Sequence, residues 1–291
     1  MSDGGRLNDG VRGSLVIIGG AEDKQGRCVI LRKFVDLAGG DEAVVAVVTA
    51  ATEDPEKVSR TYREVFARLE VRETSIVRVE RREDAFEREP LERIKRATGI
   101  FFTGGDQLRI TSALGGTPLY DALYDACGRG VVIAGTSAGA SAMSDTMIVG
   151  GEDDGAPKRC TTAMAPGMGL LRQIVVDQHF AQRGRIGRLL SALAQNPFVL
   201  GVGVDEDTAI VVRPGGVFRV LGSQTVTVLD GKGVSHTNAS ESVPDEPLAL
   251  FGVTLHILPA GHGYDLESRK PLGPEAFEGE GQPGKPAYAA F

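Results

Sequence analysis

Few segments leave a chain as little choice as Val131 to Ser141, which reads Val-Val-Ile-Ala-Gly-Thr-Ser-Ala-Gly-Ala-Ser. Its largely β-branched start, Val131 to Ala134, fits a buried strand. The Gly-x-Ser-x-Gly that follows turns the chain sharply, and the small residues Ala138 to Ala142 lead away as a helix. This is the layout of a nucleophile elbow, with Ser137 at the tip of a strained strand-to-helix turn. Gly135 and Gly139 carry no Cβ, so strand and helix can close on one another. Backbone N–H groups at the start of the helix would lie beside the serine oxygen. An ordinary glycine-rich connection reads the same way over five residues, so the flanks and the partners available to Ser137 decide between the two.

The flanks repeat one unit. Ser14 to Ile18, Ala43 to Thr49, Ser75 to Val79 and Gly99 to Thr103 are short apolar runs without polar alternation. Helical patterns stand between them: Val29 to Ala38, a segment from Thr52 with Val58, Tyr62, Val65, Phe66 and Leu69 on one face, and Leu91 to Ala97. Leu108 to Leu114 and Pro118 to Arg129 are also helical and lead into the elbow strand. Strands of this kind alternating with helices mean an α/β fold: a mainly parallel sheet with helices on both faces. Ligands gather outside the carboxyl ends of such strands. There Gly19-Gly20, Gly104-Gly105 and Gly135 would converge.

Beyond the elbow, Gly150 to Arg159 reads as a polar loop. Ile174 to Val176 is a strand delivering Asp177-Gln178-His179-Phe180, and Gln182 to Ala194 is a helix. Val199 to Val204 is a strand delivering Asp205-Glu206-Asp207. Ala209 to Val212, Val217 to Leu221, Thr225 to Leu229 and Leu248 to Leu258 read as antiparallel strands that extend the sheet or cover one end. The expected organisation is a single α/β domain over residues 1–265 and a polar tail over 266–291.

The chain has 291 residues, 42% of them hydrophobic, enough for a sizeable core. Its formal net charge is -7 with no block of Lys or Arg, which argues against nucleic acid and anionic membrane as partners. Cys28, Cys127 and Cys160 have neither paired nor metal-ligand spacing, as expected of a reduced protein with buried thiols. Met1 to Gly13 lacks the apolar core of a signal peptide, and the longest apolar run, near Val44 to Ala51, is too short to span a bilayer. A cytoplasmic location is the expectation.

A serine hydroxyl needs a general base, and the base needs a group to orient it. The four histidines are His179, His236, His256 and His262. His179 follows a strand and so would reach the edge that carries Ser137; the others lie in a loop, inside a strand and in a turn. For the orienting acid, Glu206 and Asp205 follow a strand and Glu152, Asp153 and Asp154 lie in a loop; Glu206 is favoured, because a strand end is rigid. The order Ser, His, acid differs from the Ser, acid, His of the common α/β-hydrolases. The oxyanion hole would use the N–H of Ala138 and a second N–H from Gly105 or Asp106. Arg183, Arg185 and Arg188, just past the base in an acidic protein, suggest carboxylate recognition by guanidinium forks.

These residues together resemble the cyanophycinase family, serine peptidases similar to dipeptidase E. The resemblance rests on Gly-Thr-Ser-Ala-Gly-Ala, Asp-Gln-His-Phe, Gln-Arg-Gly-Arg-Ile-Gly-Arg-Leu, Gly-Gly-Ala-Glu-Asp-Lys and Gly-Gly-Asp-Gln, and covers about Leu15 to Ala209. It implies a class I glutamine amidotransferase-like (flavodoxin-like) fold, a homodimer, and no metal or other cofactor. It implies an exopeptidase that releases β-Asp-Arg dipeptides from cyanophycin, a poly-aspartate carrying arginine on its β-carboxyls. The family's nucleophile and base map onto Ser137 and His179, and its acid onto Glu206. Its substrate pocket maps onto Gln107, Asp177, Gln178, Arg183, Arg185 and Arg188. Two alternatives remain at this level. An α-aspartyl dipeptidase of the same clan would cleave Asp-X dipeptides instead, and a non-catalytic binding module would leave Ser137 unreactive.

Overall fold

The computed structural model describes residues 12–151, 153–160 and 162–278. Five strands form the parallel part of the main sheet: β1 (Leu15–Ile18), β2 (Val44–Val48), β3 (Glu73–Val77), β4 (Gly99–Phe102) and β5 (Val132–Thr136). The helices are α1 (Val29–Leu37), α2 (Pro55–Arg68), α3 (Arg88–Arg96), α4 (Gln107–Leu114), α5 (Pro118–Arg129), α6 (Ala138–Ser141) and α7 (Ile186–Gln195). Local chemistry starts several of them. Asp54 accepts from the Lys57 N–H ahead of Pro55 at the start of α2, and Thr117 accepts from the Tyr120 N–H ahead of Pro118 in α5.

The remaining strands are β6 (Thr146–Gly151), β7 (Thr162–Pro166), β8 (Ile174–Gln178), β9 (Leu200–Val204), β10 (Thr208–Val212), β11 (Val217–Gly222), β12 (Thr225–Asp230), β13 (His236–Thr237), β14 (Leu250–Phe251), β15 (Thr254–Pro259), β16 (Gly263–Asp265) and β17 (Lys270–Leu272). The main sheet runs β17-β16-β11-β10-β1-β5-β4-β2-β3, parallel from β1 to β3 and antiparallel from β1 outward to β17. The α/β class and the C-terminal antiparallel extension expected from the sequence are present.

Alternate residues of one strand feed opposite faces of this sheet. Val16 and Ile18 pack with Phe34 of α1 and Phe66 of α2. Leu15 and Ile17 pack on the other side with Ile94 of α3, Ile110 of α4 and Leu123 of α5.

Three expectations are corrected. First, β8 and β9 do not join the main sheet. They form a second sheet, β15-β12-β9-β8, whose Val176, Val202 and Val228 pack into the core beneath the main sheet, while Val175 and Leu229 face α7. Only β8 and β9 are parallel within it. Second, part of the polar loop expected over Gly150 to Arg159 belongs to the β6–β7 hairpin. Third, the tail expected from residue 266 is folded at least to Phe277. β17 pairs with β16, and Phe277 is buried against Gly263 and beneath the guanidinium groups of Arg213 and Arg219. Cys28 and Cys127 are buried as expected, but Cys160 is exposed. No helix among the described residues is long and apolar enough to cross a membrane.

Candidate active site

Ser137 stands between β5 and α6 at φ 54° and ψ −113°. A residue held in so sparsely populated a region costs about 1–3 kcal/mol, so its surroundings must impose it. Close packing does so. A Cβ on Gly135 would lie 2.4 Å from the Gly139 carbonyl oxygen, and one on Gly139 would lie 2.7 Å from that of Phe102. The elbow therefore tolerates no side chain at either glycine without backbone movement.

Ser137 Oγ lies 2.9 Å from His179 Nε2. His179 Nδ1 lies 2.6 Å from Glu206 Oε1. An ionised carboxylate only accepts, so Nδ1 holds the proton of the neutral ring and Nε2 is left to accept from the serine. His179 and Glu206 stand together because they follow neighbouring parallel strands, β8 and β9, with Gln178 opposite Val204. Gly20, at φ +102°, passes against the imidazole, where a Cβ would lie 2.2 Å from Cε1. The His179 side chain is 12% exposed and that of Glu206 37%. Burial is the largest influence on His179 and pushes its pKa below 6.5. The Glu206 hydrogen bond opposes this shift, and the Arg183 charge adds to it.

Of the other acids considered, Asp153 is engaged by Arg185 and Arg188 instead of His179, and Glu152 lies outside the described residues. Asp205 is buried and accepts from Ala181 N–H and from Thr225 N–H and Oγ1. Asp205 thus pins the turn that carries Glu206. The Glu206 N–H itself donates to Gln182 Oε1 at 3.0 Å. His236, His256 and His262 sit on β13, on β15 and in the turn before β16.

Among the described residues, the N–H groups of Ala138 and Gly105 have no protein acceptor and remain candidates for an oxyanion hole. Gly104, next to Gly105, approaches Ser137 so closely that its Cβ would lie 3.3 Å from Ser137 Cβ. Asp106 is a correction. Its N–H donates to Ala51 O at 2.9 Å, because the turn after β4 folds back on the end of β2, and its side chain caps α4 through the Leu108 N–H.

The residues expected to bind substrate are brought together, but largely with one another. Asp177 is 1% exposed and bridges to Arg188 through both guanidinium Nε and Nη2, at 2.6 Å for Nε. Arg185 donates to the Gln178 backbone and side-chain oxygens at 2.7 Å each and to Asp153 at 2.8 Å. Arg188 reaches Asp153 at 3.3 Å. Burial acts upward on Asp153 and is its largest single influence. The hydrogen bond and charge of Arg185, with Arg188 and Arg183, nevertheless draw its pKa below 3.8. Two of the three arginines expected as carboxylate forks are thus engaged within the protein: Arg185 and Arg188 pair with the buried Asp177 and the exposed Asp153. Arg183 is exposed, on the single helical turn Ala181–Arg183 directly after His179. Gln107 is 9% exposed, and its Nε2 donates to Ile148 O at 2.6 Å, fastening α4 to β6.

Sequence reasoning assigned no role to Glu22, whose carboxylate is buried beside the elbow and bonded to Thr136. The signal available was its place in a polar loop at the carboxyl end of β1.

A serine–histidine–carboxylate array assembled at the carboxyl ends of β5, β8 and β9 of an α/β fold defines a serine hydrolase. Comparison with known proteins places it further: the chain belongs to peptidase family S51, whose family model matches residues 15–220. It is 41% identical over 264 residues to a protein named cyanophycinase from Synechococcus elongatus, covering 90% of this chain and 82% of that one. A cyanophycinase of Geminocystis herdmanii is 38% identical over 263 residues, covering 90% and 97%. One of Trichormus variabilis is 36% identical over 268 residues, covering 92% and 90%. The crystal structure of a peptidase from an acI-B1 actinobacterium shares the fold, with a TM-score of 0.63 at 23% identity over 84% of this chain and 98% of that one.

Proposed function

We propose that the chain is a serine-type exopeptidase that hydrolyses cyanophycin, multi-L-arginyl-poly-L-aspartate, to β-Asp-Arg dipeptides. The observation that carries this reading is the Ser137–His179–Glu206 relay, with contacts of 2.9 Å and 2.6 Å, in a chain 41% identical to a cyanophycinase. His179 takes the Ser137 proton as Oγ attacks the scissile carbonyl. Glu206 stabilises the imidazolium that results. The N–H groups of Ala138 and Gly105 receive the negative charge of the tetrahedral intermediate. Its collapse breaks the peptide bond, and His179 returns the proton to the leaving amine. Water, activated by the same imidazole, then releases the acyl group from Ser137.

Substrate recognition is assigned first to Arg183, exposed beside the base, as the partner of a substrate carboxylate. Asp177, Gln178, Arg185, Arg188 and Gln107 act as the rigid wall behind it. A cytoplasmic homodimer completes the reading. Leu255 and Ile257, 47% and 51% exposed on β15 at the end of the second sheet, support a buried face between copies; light scattering of the purified protein tests it. The substrate is tested by offering the enzyme cyanophycin and α-aspartyl dipeptides side by side. Release of β-Asp-Arg with little cleavage of Asp-X supports the reading, and the reverse preference makes the chain an aspartyl dipeptidase.

A further inference from the structure

The end of β1 and the turn that leaves it, Gly19 to Lys24, touch the segment of every member of the proposed triad. Ile18 O accepts from the Ser137 N–H at 3.0 Å, Gly19 O from the His179 N–H at 2.8 Å and Gly20 O from the Asp207 N–H at 2.9 Å. Asp23 N–H donates to Asp207 Oδ1 at 2.9 Å. Gly20 is also the residue packed against the His179 ring. Where this turn lies therefore sets how serine, base and acid stand relative to one another.

A buried carboxylate holds the turn. The Glu22 side chain is 1% exposed. Tyr62 Oη donates to its Oε1 at 2.6 Å, and Thr136 Oγ1 donates to its Oε2 at 2.6 Å. Lys24 Nζ lies 2.9 Å from Oε1 and 5.5 Å from the centre of the Tyr62 ring. Thr136 is the last residue of β5 and the one before the nucleophile. Glu22 thus joins the turn to the elbow on one side and to α2, through Tyr62, on the other. Taking a carboxylate out of water is unfavourable unless it is fully paired, so a turn that needed only filling would carry an apolar residue here. A group that only accepts lets Tyr62, Thr136 and Lys24 all donate to it. Burial first, and then the Glu22 charge, hold the Tyr62 phenol well above its ordinary pKa of 10.0, so it stays a donor.

We propose that Glu22 is a positioning residue for this active site: through Thr136 it locks the elbow against the Gly19–Asp23 turn and thereby fixes the separation of Ser137 from His179. It touches none of the reacting atoms. The proposal rests on Ser137 being the nucleophile but not on the identity of the substrate.

The test is the rate at which a fluorophosphonate probe labels Ser137, measured beside thermal unfolding for the wild type, Glu22→Gln, Thr136→Val and Thr136→Ser. Glu22→Gln and Thr136→Val are expected to slow labelling roughly 10–100-fold in folded protein, as a misplacement of about an ångström does. Thr136→Ser keeps the hydroxyl and should label at close to the wild-type rate. With a hydrolysed substrate, kcat should fall in step while KM holds. Wild-type labelling rates in both Glu22→Gln and Thr136→Val would overturn the proposal, and if Glu22→Gln does not fold, Thr136→Val decides alone. A wild type that takes no label at Ser137 overturns the nucleophile assignment and the proposal with it. A wild type that labels but leaves cyanophycin intact overturns the substrate reading only.

Discussion

His179 can serve as a base only while its imidazole is neutral, and its surroundings work to keep it so. Burial lowers its pKa below 6.5 more than the Glu206 hydrogen bond raises it, and Arg183 adds to the lowering. The acid limb of kcat/KM should accordingly have its midpoint below 6.5, since activity is lost only as falling pH protonates the ring. Arg183→Gln removes one lowering influence and should move that midpoint upward, which a pH–rate profile reads directly. The choice of acid is tested in the same way. Glu206→Gln should cost on the order of 10⁴ in kcat, the scale on which a triad acid acts, while Asp154→Asn should leave the rate nearly unchanged. At this scale the sequence was informative wherever a strand end dictates position. Four histidines, one of them directly after an apolar strand, left little choice of base, and Glu206 was reached by the same argument. Asp106 was misjudged because its N–H is taken by Ala51 O. That pairing depends on how two separate turns fold against each other, which no local pattern records.

At the scale of elements, the segment after His179 is held by charge. Asp177, 1% exposed on β8, is neutralised by Arg188 of α7, and Asp153 of the β6–β7 loop latches onto Arg185 and Arg188. Arg188→Ala leaves Asp177 buried with the Gln178 N–H at 2.9 Å and, for a cation, the longer contact to Arg185 at 3.5 Å. Removing one partner of a buried pair in this way should destabilise the protein by about 3–5 kcal/mol, measurable in denaturant unfolding. The Asp153 latch has a defined pH sense. Its folded pKa is lowered, so its contribution is present above 3.8 and is lost as pH falls through the lowered value. A charge run such as Gln182 to Arg188 shows a basic face but not its partners. The Asp153 loop lies more than thirty residues earlier in the chain, and nothing local links the two. The β6–β7 hairpin escaped notice for a related reason: Gly150 and Gly151 in β6 are residues that mark turns far more often than strands.

The described residues are built on two large sheets, with the two-stranded pairs β6–β7 and β13–β14 beside them, and the proposed catalytic residues are divided between the large ones. Ser137 comes from the main sheet, and His179 and Glu206 from the ends of the second. Runs such as Ile174 to Val176 and Val199 to Val204 declare burial on both faces. They do not declare which sheet they enter, so the expected single sheet is replaced by two whose strand ends bring His179 to Ser137. The antiparallel wing of β11, β16 and β17 lies beyond β1 and β10 from the elbow. Phe277, 3% exposed, closes that wing. Phe277→Ala should therefore cost about 3–5 kcal/mol of stability. In folded protein it should leave the rate of Ser137 labelling unchanged.

The most direct measurement is dipeptide release from purified cyanophycin by the wild type and by Ser137→Ala, followed by mass spectrometry of the soluble products. β-Asp-Arg accumulating with the wild type, and none with a folded Ser137→Ala, is the predicted result. A wild type that releases no β-Asp-Arg, or a Ser137→Ala protein that still does, contradicts the assignment of this chain as a serine exopeptidase of cyanophycin.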